Sequence, residues 1–300
     1  MTADGFAAFA AEWTPRVEAT LESLVPPAGE SPTDLHRAMR HALFPGGKRL
    51  RPLLALLAAR VTGGDPERAL RPGAALELLH TYSLVHDDLP CMDDDDLRRG
   101  RPTCHKVFGD AVAVLAGDAL LTLAFEIVAE AGAEAVRCLA AAAGSRGMVG
   151  GQAADLAAEG SLATATLDGL QSIHDRKTGA LIVASLEVGA IAGGATFDRE
   201  GLRGYGERIG RAFQIADDCL DVTGTAEEIG KPPGSDVGRD KLTYPALIGL
   251  EAAQQLARDL ANEAAELAPR VVGTAGGAVT LDAGRKLLQD LASRVATRSS

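Results

Sequence analysis

The chain has 300 residues, 46% of them hydrophobic, and aromatics make up only 4%. Ala and Leu dominate, a mix that favours helix over strand. The formal net charge of −11 argues against a nucleic-acid partner, because such binders are usually basic, and an acidic chain that handles anions must cluster its few cations or borrow metal ions.

The first segment, MTADGFAAFAAEWTP, carries Asp4 and Glu12 and no basic run, so it does not read as a secretory signal. Apolar residues recur at helical spacing almost throughout, and no period-2 run stands out. Turn signals at Pro26-Pro27, Pro45 to Gly47, Gly63 to Pro66, Gly100 to Pro102, Gly193-Gly194 and Gly230 to Gly234 punctuate the chain. Between them the pattern predicts helices of roughly 12 to 28 residues, with Thr33 and Asp65 as N-caps.

GGKRLRP, Gly46 to Pro52, is expected to set Lys48 and Arg51 on one face at a helix start. A helix is predicted over Gly73–Leu89, with Pro72 near its first turn and Pro90 past its end. It carries His80 two turns before Asp87, and its residues alone read His80 as a core histidine. Cys91, Cys104, Cys138 and Cys219 form no C-x-x-C pair, so all four read as reduced thiols in a cytoplasmic protein. Cys91, Cys104 and His105 are poorly spaced for zinc. The run ALIVASLEVGAIAGGA is interrupted by Glu187 and too short to span a bilayer, so no membrane insertion is expected. No linker or fixed-period repeat divides the chain, which predicts one all-α domain over residues 1–300. Thr223 to Asp240 is the longest irregular stretch, a length often used for lids.

Two acidic clusters carry the chemistry. HDDLPCMDDDDLRRGRP packs six aspartates into ten residues and follows them with three arginines. Two carboxylates about 5 Å apart repel by roughly 3 kcal/mol at an effective dielectric of ~20. Asp87 and Asp88 sit at a helix C-terminus, where the dipole also disfavours anions, so a cation is the natural compensation. Asp93 comes within reach of Asp87 if the backbone turns back at Pro90. Far downstream, FQIADDCLD places Asp217 and Asp221 one turn apart on one helix face, with Asp218 between them. No D-x-D-x-D-G loop supports calcium, whereas magnesium, with its few carboxylates, waters and phosphate oxygens, fits. The alternatives are a solvated acidic face or a calcium site.

Together these residues resemble the trans-prenyltransferases, the polyprenyl diphosphate synthases. DDLPCMD, DDCLD, GGKRLRP, LRRGRPT, GQAADL, KTG, FQIADD and the GK…GSD…KLTYP loop occur in family order from about Leu35 to Leu250. The chain looks most like bacterial short-chain farnesyl diphosphate synthases, with geranylgeranyl synthases close behind. The resemblance implies an all-α bundle of antiparallel helices around a deep central cavity, a homodimer, isoprenoid diphosphate substrates and Mg2+, three ions per site with substrate bound. It implies that Asp87, Asp93 and Asp217 bind metal, with Asp88 and Asp221 in support. Lys48, Arg51, His80 and Arg99 would hold isopentenyl diphosphate. Arg98, Lys177, Thr178, Gln214, Lys231 and Lys241 would hold the allylic diphosphate. Tyr82, five residues before Asp87, and Ser83 beside it would floor the product channel, and a bulky Tyr there favours a fifteen-carbon product. Thr225 and Asp240 depart from the family pattern in the lid loop. A class I terpene cyclase would carry Asn, Ser or Glu in its second motif, and a non-catalytic subunit would lose one motif, whereas this chain keeps two wholly acidic ones.

Overall fold

The structure, a computed structural model, describes residues 5–44, 46–158, 165–224, 242–273 and 280–297. Its helices are α1 Phe6–Leu24, α2 Thr33–Leu43, α3 Leu50–Val61, α4 Pro66–Asp87, α5 Cys104–Phe108, α6 Asp110–Val128 and α7 Ala133–Ala143. They continue with α8 Met148–Ala158, α9 Leu167–His174, α10 Ala180–Gly193, α11 Arg199–Thr223, α12 Tyr244–Ile248, α13 Leu250–Val271 and α14 Leu281–Thr297. Among the described residues the only strands are β1 Leu97–Arg98 and β2 Arg101–Pro102, a two-residue antiparallel pair. The fold is all-α, as the composition predicts.

Burial explains the layering. α1 buries Phe6, Phe9, Trp13, Val17 and Leu21 at helical spacing, one stripe facing inward. α3 buries Pro52 to Ala59 without a break, so it is apolar all round and must be covered on every side. α10 is similar: its only charged residue is Glu187. These two pack together, α4 lies across both, α6 covers α4, and α11 packs on α10 and α13. Each fully buried Leu of α3 contributes about 1.5–3 kcal/mol relative to exposure.

α4 begins earlier than predicted. Pro66 occupies its first turn, and Asp65 caps it by accepting from the Glu67 amide at 2.9 Å. Pro72 therefore lies inside the helix, buried where α3 crosses. Asp65 is a cap as predicted; Thr33 is instead the first helical residue, with Pro32 in the cap position. α5 and α12, five residues each, fall below the predicted helix lengths. α11 runs through Thr223, so the predicted loop starts at Gly224. Thr225, Lys231, Asp240 and Lys241 lie outside the described residues.

The most informative omission concerns α6. With its 3-10 extension it spans Asp110–Ala131, 22 residues whose most apolar 18 average a hydropathy of 2.0, long and apolar enough by length and composition to cross a membrane. Here one side packs on α4, with short contacts to α2 and α5. Gly117 makes that contact close: a Cβ there would lie 2.1 Å from His86 Nε2. Val114 and Leu115 on the other side stay 39% and 56% exposed.

Candidate active site

The first acidic cluster is shaped by a reversal just past α4. The Asp93 amide donates to the Asp87 carbonyl at 2.8 Å and the Asp94 amide to Leu89 at 3.1 Å. The chain does turn back at Pro90, and Asp93 comes beside Asp87. Asp87 is 7% exposed, and its Oδ1 accepts from Gln152 Nε2 of α8 at 2.9 Å. Burial raises its carboxyl above the usual range, and Asp93 adds to this, while Lys177, Gln152 and Arg98 oppose it. Asp88 is equally buried but already occupied: Arg98 grips it with Nε at 2.8 Å and Nη2 at 2.6 Å. Arg98 also reaches Asp95 at 3.6 Å.

The β1–β2 hairpin sets the next cation. Arg99 and Gly100, its two loop residues, have φ of 53° and 72°, the positive values that tight hairpin turns require. Arg is unusual there. The Arg99 guanidinium donates to the Gly46 carbonyl, which joins the hairpin to the GGKRLRP loop.

That loop differs from its expected form. Arg49 caps α3 in the left-handed region, φ 46°, and Lys48 precedes the helix, exposed. Lys48 and Arg51 therefore do not share a helix face. Arg49 is 1% exposed and structural: it binds Glu18 at 2.7 Å, Glu77 at 3.0 Å and the Leu43 carbonyl at 2.9 Å. Arg51 points elsewhere. Its Nε is buried without a hydrogen-bond partner among the described residues. Burial and Arg99 push its pKa down to about 10, against Glu77 and Asp217. His80, half-buried on α4, is held well below its usual range by burial and then by Arg51, Arg99, Arg98 and Arg49. Burial, Arg49 and Arg98 likewise lower Arg99. Several cations crowded round an orphaned guanidinium N–H make a place for an anion.

The second wall comes from α11 and the segment before α10. Asp175–Gly179 is a π-helical turn between α9 and α10, a distortion frequent at functional sites. It fits tightly on α8, because a Cβ at Gly151 would lie 2.3 Å from the Lys177 amide nitrogen. Lys177 Nζ pairs with Asp155 at 2.6 Å. Burial works against its charge, but Asp87, Asp155 and Asp93 outweigh it and hold the ammonium above its usual value. Thr178 Oγ1 donates to Gln214 Oε1 at 2.7 Å, and Gln214 Nε2 donates to Asp218 Oδ1 at 2.9 Å. Asp218 Oδ2 accepts from the Tyr244 amide at 3.0 Å. Asp218 is thus a structural acid, with Asp217 half-buried and Asp221 4% exposed beside it on α11.

Gln152 and Asp155 were missed as contact residues, although both lie in the quoted GQAADL run. Tyr82 is 6% exposed, its ring edge-on to His86 at 5.4 Å, and its phenol is raised by burial and then by Asp87 and Asp118. Ser83 is buried, its hydroxyl donating to the His80 carbonyl at 2.7 Å. The four cysteines are free. Among the described residues no group of three His, Cys, Asp or Glu side chains could hold a metal unaided. The donor set still fits Mg2+, which takes only one or two carboxylates and completes its shell with water and phosphate oxygens. Buried Asp87, whose charge is made costlier by half-buried Asp93 beside it, is the carboxylate such a cation would relieve.

The likenesses agree with this geometry. The polyprenyl synthetase family profile matches residues 32–272. A farnesyl diphosphate synthase of Geobacillus stearothermophilus is 50% identical over 237 residues, 75% of this chain and 79% of that protein. The heterodimeric geranylgeranyl pyrophosphate synthase large subunit 1 of Arabidopsis thaliana is 48% identical over 83% of this chain and 70% of its own. The apo crystal structure of an FPP/GFPP synthase from Zymomonas mobilis superposes with a TM-score of 0.80 at 39% identity, covering 97% of this chain and 98% of that one. The chain belongs to the polyprenyl synthetase family and is a short-chain trans-prenyltransferase.

Proposed function

We propose that the enzyme condenses isopentenyl diphosphate with dimethylallyl and then geranyl diphosphate, giving farnesyl diphosphate with Mg2+. The observation that carries this reading is electrostatic: Asp87 and Asp93 act on Lys177, and Asp217 acts on Arg51. Asp87 also feels Arg98, and Arg98 and Arg51 both act on His80, so the cations beside the two acidic clusters surround one histidine. Bound Mg2+ would stabilise the charge that develops on the leaving diphosphate. Asp87, Asp93 and Asp217 would hold it, with Asp88 and Asp221 in support.

Lys177, Arg98, Thr178 and Gln214 hold the allylic diphosphate, joined by Lys231 and Lys241 from outside the described residues. Arg51, Arg99, Lys48 and His80 hold isopentenyl diphosphate, whose charge relieves the cation crowding. The allylic C–O bond breaks, the alkene of isopentenyl diphosphate forms the new C–C bond, and the departing diphosphate takes the proton lost. The apolar faces of α3, α4 and α10 keep water from the carbocation.

Purified enzyme supplied with Mg2+, isopentenyl diphosphate and dimethylallyl diphosphate should release mainly a fifteen-carbon alcohol after dephosphorylation. Tyr82→Ala should shift the main product to twenty carbons or more, because it removes the buried ring beneath Asp87. A wild-type product of twenty carbons would overturn the Tyr82 floor, and no condensation by folded enzyme would overturn the reaction.

We also read the whole chain as one cytoplasmic domain acting as a homodimer, with the exposed apolar side of α6 as its interface. Leu115→Arg should convert the dimer to monomer in light scattering, since a charge would be buried there without a partner. An unchanged mass would move the interface elsewhere.

A further inference from the structure

A second cleft lies on the opposite side of the π-helical turn, between α7, α10 and the start of α11. Its volume is about 750 Å3, within the range of small-molecule sites. In a chain of net charge −11 it is locally basic, its lining carrying six arginines against four carboxylates. Three of the arginines are neutralised: Arg199 pairs with Glu134, Arg203 with Glu187 and Arg211 with Asp175. Arg137 and Arg146 make no hydrogen bond or ion pair among the described residues, and Arg176 bonds only to Ser172.

The remaining wall is apolar, made by Ala141, Ala142, Ala180, Val183 and Ala184. At its base Glu187, 3% exposed, accepts from Cys138 Sγ at 3.1 Å and from Arg203 at 3.0 Å. The Glu187 carboxylate is therefore already satisfied, and Glu207 is the one lining carboxylate outside an ion pair among the described residues, so the three arginines outside ion pairs remain in excess. Cations on one side and a smooth apolar wall on the other match a ligand with an anionic head and a hydrocarbon body.

We propose that this cleft is a second ligand site for an amphipathic organophosphate, with Arg137, Arg146 and Arg176 taking the phosphate and the α7–α10 wall the apolar part. The prenyl diphosphates of the proposed reaction are one source of that chemistry, so the ligand's origin rests on that reading. The site is coupled to the first through one turn of backbone. Asp175, Arg176 and Gly179 line the cleft, while the intervening Lys177 and Thr178 hold Asp155 and Gln214. A ligand drawing on Arg176, or on Arg211 and its partner Asp175, would bias the position of Lys177.

The test is calorimetric titration of the full chain with farnesyl diphosphate in EDTA, beside inorganic diphosphate. Wild type and Arg51→Gln should bind farnesyl diphosphate equally at this site. Arg137→Glu/Arg146→Glu, and the milder double Ala variant, should bind it at least tenfold more weakly with kcat/KM unchanged. In turnover, excess farnesyl diphosphate should inhibit wild type noncompetitively toward the allylic substrate, and the double variants should lose that component. Binding unaffected by the double variants, or abolished by Arg51→Gln alone, would overturn the site. Inorganic diphosphate binding as tightly would overturn the role of the apolar wall. If metal-free binding needs Arg137 and Arg146 but no condensation occurs, the cleft stands and the reaction falls.

Discussion

Asp87→Asn should lower kcat by about 100- to 1000-fold, the cost of removing one well-placed charge-stabilising group from an active site. The substitution preserves shape, and the new amide oxygen can still accept from Gln152 Nε2. What it removes is a buried negative charge that faces Lys177 and repels Asp93. The folded state should accordingly be no less stable, because a group strained by burial has been neutralised. The Mg2+ concentration for half-maximal rate should rise. Asp87→Asn/Asp93→Asn should cost much less than the product of the single losses, since the two carboxylates act on one cation. Steady-state kinetics with a Mg2+ titration, alongside a thermal melt, tests all four. A rate within about threefold of wild type would show that Asp87 only anchors α8 through Gln152.

Arg49→Leu should destabilise the fold by about 3–5 kcal/mol, the usual result of stranding a buried charge by deleting its partner. Glu77 is 2% exposed, and Arg49 is the cation bonded to it. The variant also leaves the Leu43 carbonyl without its donor and frees Glu18. Adding Glu77→Leu should recover much of the loss, because an apolar pair of similar volume replaces an ion pair that was expensive to bury. Denaturant unfolding of wild type, single and double variants closes the cycle. A small stability loss with a large rise in KM for isopentenyl diphosphate would instead make Arg49 a substrate ligand. Arg51, two residues on, should behave in the opposite way, its loss raising KM while the fold survives.

Much of the site was legible in the sequence because its signals are local. The Asp217 to Asp221 spacing lies within one helix, and the return of Asp93 to Asp87 is written in a single proline. The wholly acidic motifs named the chemistry without any distance. Other features were hidden by the same locality. Gln152 lies 65 residues from Asp87, and Glu77 lies 28 from Arg49, so neither pairing leaves a periodic trace. α6 was passed over because its polar stripe is thin: Asp118, Thr122 and Glu126 line one edge of a helix that is otherwise apolar, with Val114 and Leu115 exposed beside them.

The sequence by itself determined an all-helical chain, the order of its acidic and basic motifs, and the chemical class that those motifs serve. Helix formation depends on neighbours three and four residues apart, and the functional groups are side chains that can be read directly. The tertiary structure alone decided which cation does what. Within KRLR it buried Arg49 as a strut and left Arg51 with an orphaned N–H, and it gave Arg98 to Asp88. Through one π-helical turn it divided Asp175 to Gly179 between the α7–α10 cleft and the acidic site. Those outcomes depend on desolvation and on partners brought together from distant segments, quantities that no local pattern records.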